Sequence, residues 1–170
     1  MKTKEILRAV LILLIIAGLA YIWLTPSGLQ KAPTISVQTL KGPQQTLADW
    51  RGKPVILTFW ATTCSGCIKE MPHLVELHQQ LHSQGLEILG IAMSYDPPNQ
   101  VATLVKARQL PYTIALDLDG KAAEAFGKIR LTPTTFLISP EGKIVHKKIG
   151  ELDMNYIRTT IKQMLNNKNA

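Results

Sequence analysis

The 170-residue chain carries nineteen Lys and Arg against twelve Asp and Glu, a formal charge of +7, with 46% hydrophobic and 18% charged residues and only two cysteines. That balance is too apolar for a disordered tail and too poor in cysteine for a disulfide-stapled miniprotein, and the length predicts one domain. With the three basic and one acidic residues of the first thirty set aside, sixteen basic and eleven acidic residues remain. The excess is scattered over Lys53, Lys69, Lys106, Lys121 and Lys143 and does not gather into an aromatic-interleaved stripe, which argues against a nucleic-acid partner.

The N-terminus reads as a membrane segment. Ala9 to Leu24 is a run of sixteen uncharged residues, and no charge returns until Lys31. At about 1.5 Å per residue this core covers roughly 24 Å, and Ile6, Leu7 and a snorkelling Arg8 extend it toward the ~30 Å hydrocarbon layer. Lys2, Lys4 and Arg8 precede the run, so the positive-inside rule leaves the N-terminus in the cytoplasm and the remainder outside. A cleaved signal peptide would end in small residues, but Tyr21, Ile22, Trp23 and Leu24 stand there and suit an interfacial belt. The expectation is an uncleaved anchor over residues 6–24. Residues 1–25 then form the cytoplasmic end and anchor, and 26–34, with Pro26, Gly28 and Pro33, a linker. Residues 35–170 form the folded domain.

That domain alternates strands and helices. Ile35, Val37 and Leu40 suggest a first strand, closed by the turn signal Gly42-Pro43. Pro54 to Trp60 is a near-continuous apolar run, as expected of a central strand covered on both faces. Met71, Leu74, Leu77 and Leu81 recur at helical spacing, predicting a helix from Ser65 to Ser83 that ends at Gly85. Leu86 to Met93 is strand-like, and Asp96-Pro97-Pro98 signals the start of a helix carrying Val101, Leu104 and Val105. A short strand at Ile114–Leu116 follows, then a small Ala-rich helix capped by Asp119 and reaching Phe126. Thr134–Ile138 and Lys143–Ile149 flank the hairpin signature Pro140-Glu141-Gly142, and Ile157, Ile161, Met164 and Leu165 give a closing amphipathic helix. The order implies an α/β domain with a mixed central sheet and helices on both faces.

The chemistry lies in Cys64-Ser65-Gly66-Cys67. The pair falls where a buried strand meets a helix, which places Cys64 at the helix N-terminus and Cys67 one turn inside. Unpaired amides and the helix dipole favour a thiolate at Cys64, whereas Cys67 is shielded. Cys64 would attack a substrate disulfide and Cys67 would resolve the mixed disulfide. A zinc half-site or an inert bridge are the alternatives, although His73 and His78 offer no partner pair at finger spacing.

TLADWRGKPVILTFWATTCSGCIKEMP, followed downstream by LTPTTFLISPEGKI, resembles the thioredoxin superfamily. Within it the likeness is closest to the TlpA/ResA-like membrane-anchored thiol:disulfide oxidoreductases with an AhpC/TSA-redoxin type domain. The resemblance covers roughly residues 34–165 and implies a thioredoxin-like three-layer α/β/α fold without a cofactor. It places Pro133 in a cis-proline loop facing the dithiol, with Thr132 offering its backbone to a client peptide in β-like pairing. Pro72 matches the family's kinking proline, and segment 97–117 matches the helix-strand insertion of this branch. The buried Asp of thioredoxins is replaced by Thr58. Instead Glu70, one turn beyond Cys67, stands where this branch often places a carboxylate able to exchange the Cys67 proton. The family's usual Trp before the first cysteine is Thr63, which bears on partner recognition. Trp60 is expected beside the active site, where with Thr63 and Thr132 it would bind the client, Ser65 and Gly66 are expected to tune the potential, and Thr63, Met93, Lys128 and Arg130 to shape the client surface.

Two other functions compete. A thiol peroxidase would share the fold, but the Pro and Thr that precede a peroxidatic cysteine are Leu57 and Ala61 here. A membrane-tethered metal chaperone could use Cys64, Cys67 and His73. The resemblance favours a single-pass protein of the bacterial inner membrane with its domain in the periplasm. It implies client proteins with cysteine pairs, for example in cytochrome c maturation or copper-site assembly, and a membrane thiol donor of the DsbD/CcdA kind.

Overall fold

A computed structural model describes residues 11–16 and 29–167. Most of the expected anchor over 6–24 and the start of the linker lie outside the described residues. Residues 11–16 are helical and exposed, and among the described residues no helix is long and apolar enough to cross a membrane.

Seven strands form one mixed sheet. They are β1 (Ser36–Thr39), β2 (Gln45–Thr46), β3 (Val55–Trp60), β4 (Glu87–Ala92), β5 (Thr113–Leu116), β6 (Thr134–Ile138) and β7 (Ile144–Ile149). The helices are α1 (Ser65–Leu81), α2 (Pro98–Ala107), α3 (Lys121–Ala125) and α4 (Met154–Asn167). The spatial order is β2-β1-β5-β4-β3-β6-β7, with β3, β4 and β5 parallel and β6 antiparallel to β3. Every residue of β3, β4 and β6 is buried, which explains why the β3 segment reads as a continuous apolar run and not an alternating one.

Strand alternation divides the core in two. Ile56, Trp60, Ile88 and Ile114 face α1, α2 and α4, meeting Met71, Leu74, Val101, Ile157 and Ile161. Leu57, Phe59, Leu89 and Ile91 face the other way, onto Ile35, Trp50, Phe126 and Phe136. The layers are therefore unequal: three helices cover one face, and short α3 with the N-terminal segment covers the other. The entering chain is held to the hairpin pole, where Ala32 N donates to Gly142 O at 2.9 Å and Ile144 N to Gln30 O at 2.8 Å.

Four local expectations change. The sequence predicts six strands, and the structure adds β2, a two-residue strand paired with β1 that lacks any apolar alternation of its own. Helix α1 stops at Leu81 and continues as a 3₁₀ turn over His82–Gln84, which Gly85 ends at φ 113°. Asp119 does not cap α3 alone: it accepts from Lys121 N at 3.2 Å, but buried Asp117 takes the amides of Ala122 at 2.9 Å and Ala123 at 2.8 Å. Asp96 does not cap α2 either, whose N-cap Pro97 makes no side-chain cap bond.

Candidate active site

The C-terminal ends of β3, β4 and β5 share one edge of the sheet, the usual place for chemistry in an open α/β fold. Thr134 pairs with Ile149 there, so the start of β6 and the end of β7 reach the same edge. Between β3 and α1 lies the cysteine pair, joined as a disulfide with Cα atoms 5.2 Å apart. Cys64 is the N-cap of α1, and its Sγ accepts from Cys67 N at 3.1 Å. An N-cap acceptor is favoured more when it is anionic, because the free amides and the helix dipole converge on it. Cys64 is half-buried while Cys67 is only 3% exposed, so the first sulfur is the reachable one. The sequence expects this placement, with Cys64 at the helix N-terminus and Cys67 shielded one turn inside.

Asp96 positions the approach to the dithiol. Its carboxylate accepts from Thr62 N and from Thr62 Oγ1, each at 2.6 Å, and the residue is 5% exposed. The loop that carries Cys64 is thereby clamped to the loop after β4. The sequence read Asp96 only as a helix-start signal, because its partner lies on another strand end.

The Thr132–Pro133 peptide bond is cis. A Cβ at Gly66 would sit 3.4 Å from Pro133 Cδ and 3.9 Å from Glu151 Oε1. Gly66 thus lies against the proline and a second carboxylate, the latter with no local signal in the sequence. Ser65 and Thr63 are exposed, and Thr132 is half-buried. Among the described residues no backbone group hydrogen-bonds Thr132, whereas Pro133 O accepts from Gly150 N at 2.8 Å. An extended peptide could therefore pair with Thr132 beside the sulfurs.

Glu70 lies behind the pair. It is 4% exposed, and Oε1 accepts from Leu152 N at 2.9 Å. Burial lifts its carboxyl above the ordinary value; the Leu152 amide opposes this, Glu151 adds to it, and His73 opposes it. Thr58 takes no proton role of the thioredoxin kind, since its hydroxyl accepts from Thr135 Oγ1 at 2.8 Å across β3 and β6.

Two expected surface residues are not on the surface. Trp60 is 2% exposed and Met93 is 6% exposed. Trp60 faces inward beneath Cys67 and packs in the helix-side core, so it cannot touch a client, because even-numbered residues of β3 point toward α1. Met93 turns into the opposite core. Lys128 and Arg130 are exposed as expected, and exposed Leu131 and Ile149 supply an apolar rim beside Pro133.

A dithiol seated at these strand ends places the chain among the thioredoxin-fold thiol-disulfide oxidoreductases. The AhpC/TSA family pattern matches residues 29–147, and the chain belongs to that family. It is similar to the thiol-disulfide oxidoreductase ResA of Bacillus cereus, with 34% identity across 96% of this chain and 99% of the relative. Among solved structures it resembles a thioredoxin-family thiol:disulfide interchange protein of Chlorobium tepidum at TM-score 0.75 and 25% identity, covering 83% of this chain and 99% of that one. StoA of Bacillus subtilis matches at TM-score 0.65 and 25% identity, over 75% and 96% of the two chains.

Proposed function

We propose that this chain reduces disulfides of client proteins outside the cytoplasm while anchored in the inner membrane by residues 6–24. The observation that carries the exchange chemistry is the asymmetry of the pair: Cys64 accepts at the helix N-terminus and is reachable, while Cys67 is buried one turn on. In the reduced protein the Cys64 thiolate attacks a client disulfide; a Cys64–client bond forms and one client sulfur leaves as thiolate. Cys67 then loses its proton to Glu70 and attacks Cys64, forming the intramolecular disulfide and releasing the second client thiolate. The client backbone pairs along Thr132 and rests on Leu131 and Ile149, with Thr63 beside Cys64.

The anchor is supported by the uncharged run Ala9–Leu24 behind Lys2, Lys4 and Arg8. The reductive direction and a place in cytochrome c maturation or copper-site assembly are supported by the likeness to the TlpA/ResA-like branch. The protein is recharged by a membrane thiol donor of the DsbD/CcdA kind.

The test is the reduction potential of the Cys64/Cys67 pair in glutathione buffer, read by Trp fluorescence. A value near about −270 mV supports a reductase, and one near about −120 mV would make the protein an oxidant.

A further inference from the structure

A small cavity of about 10 Å³ lies behind the dithiol, lined among others by Thr58, Trp60, Cys67, Glu70 and Tyr112. That is about the size that admits one water molecule, which needs two to four polar partners. The wall supplies them. Trp60 Nε1 is buried with no hydrogen-bond partner among the described residues, and a buried N–H left unpaired is destabilising unless an ordered water satisfies it. Glu70 uses Oε1 on the Leu152 amide, leaving Oε2. The Thr58 hydroxyl accepts from Thr135 and keeps its own proton to donate.

Tyr112 has a second aspect. It is 7% exposed, yet it also lines an open groove of about 310 Å³ with Leu40, Lys41, Val105 and Leu110. Leu40 N donates to Ile114 O, so this groove opens near the start of β5, away from the sheet edge that carries Cys64 and Thr132. Tyr112 thus stands between the inner cavity and the groove, at the end of the sheet opposite Cys64 and Thr132.

We infer that Tyr112 and one water held by Trp60 Nε1 form a proton exit from Glu70 to the groove. This rests on the reading of Glu70 as the acceptor of the Cys67 proton. When Cys67 attacks the mixed disulfide, its proton passes to Glu70 and the client sulfur leaves with the bonding electron pair. Glu70 then gives the proton to the water, and the water gives one to the Tyr112 oxygen as that hydroxyl releases its own proton to the groove. The net transfer is one proton from Cys67 to solvent. Tyr112 never ionises, in keeping with a phenol that burial, and then the Glu70 charge, push above its ordinary value. The charged groups that bear on Glu70 are Glu151 after β7 and His73 on its own helix, and neither lines the cavity.

Stopped-flow oxidation of the reduced full-length protein by a chromogenic aromatic disulfide separates mixed-disulfide formation from ring closure by the release of the first and second thiolate. Tyr112→Phe keeps the ring and removes the hydroxyl. It is expected to leave the first release unchanged and to slow the second by about tenfold near neutral pH, less than the whole of a general-base contribution of about 10²–10⁴. In a Glu70→Gln background the same substitution should add nothing. If Glu70→Gln is slow while Tyr112→Phe matches wild type, the exit is overturned and the role of Glu70 stands. If Glu70→Gln matches wild type, both fall. An equal slowing by Tyr112→Phe in either background would make the hydroxyl structural and overturn the path. Independently, a water cross-peak to the Trp60 indole proton by NMR is expected in wild type, and its absence would overturn the bound water.

Discussion

Replacing Gly90 by Ala tests how tightly the structure behind the dithiol is packed. Gly90 lies on β4 opposite Thr58 of β3 and Ile114 of β5. A Cβ there would fall 2.9 Å from Ile114 Cδ1, 3.2 Å from Trp60 Nε1 and 3.5 Å from Trp60 Cδ1. Carbon atoms rest about 3.5–4.0 Å apart at their optimum, so both neighbours must move. Ile114 can turn its terminal methyl, but the indole is enclosed, and its free direction is the small cavity shared with Cys67 and Glu70. Overpacking of this kind costs about 1–3 kcal/mol. For a chain of this size each kcal/mol is about 2–4 °C in Tm, so thermal unfolding followed by circular dichroism should show a fall of several degrees. The displaced indole should also slow closure of the Cys64–Cys67 bond. Wild-type stability together with a wild-type closure rate would refute the packing of Trp60 against Gly90 and the space beneath it.

Asp117→Ala leaves the Ala122 and Ala123 amides without their buried acceptor and should cost about 2–4 kcal/mol in urea unfolding; a loss below about 0.5 kcal/mol would show that the carboxylate does not hold α3. Cys67→Ser should accumulate a mixed disulfide at Cys64 that mass spectrometry detects with a cysteine-containing peptide, whereas Cys64→Ser should not; adducts on Cys67 would reverse the assigned roles. Glu70→Gln retains an acceptor for the Leu152 amide and removes the charge. Because the folded carboxyl lies above its unfolded value, the folded state holds a proton that the unfolded chain has lost. That contribution is fully present below the unfolded pKa of about 4.3 and is lost as pH rises through the folded one. Wild type should therefore lose stability relative to Glu70→Gln as pH rises through that window, and parallel curves in chemical denaturation would refute the burial argument.

Features encoded by neighbours in the chain were legible in the sequence. The β3 run, the helical spacing of Met71, Leu74, Leu77 and Leu81, and the Cys64–Cys67 spacing each carry their structural meaning locally. Glu70 is singled out only through the family resemblance; the spacing adds that one helical turn separates it from Cys67. Pro133 was not legible locally either: nothing near it says that it meets Gly66, and only the family resemblance brought the two together. Strand β2 was hidden because Gln45 and Thr46 owe their conformation to pairing with β1. Tyr112 and Glu151 gave no signal because their neighbours in space come from other elements. Trp60 misled in the opposite way, since a tryptophan at a strand end next to a cysteine suggests a contact surface, and only the parity of β3 turns it inward.

The buried carboxylates carry the largest share of what the sequence concealed. Asp96, Asp117 and Glu70 each look like helix-associated acids, yet each accepts a backbone N–H belonging to another segment. Asp96 fixes the loop before Cys64 to the loop after β4. Glu70 ties α1 to Leu152, and two residues earlier Gly150 N binds Pro133 O, so the helix bearing Cys67 and the loop bearing Thr132 share one set of bonds. Asp117 anchors α3, which leads into that same loop. Charge-assisted bonds in a buried setting are about twice as strong as neutral ones. The positions of Cys64 and Thr132 are therefore set by the fold itself. Under the proposed function, selectivity would rest on whether a client can present a disulfide to a fixed sulfur while its backbone pairs with a fixed Thr132, a demand on the client's own flexibility.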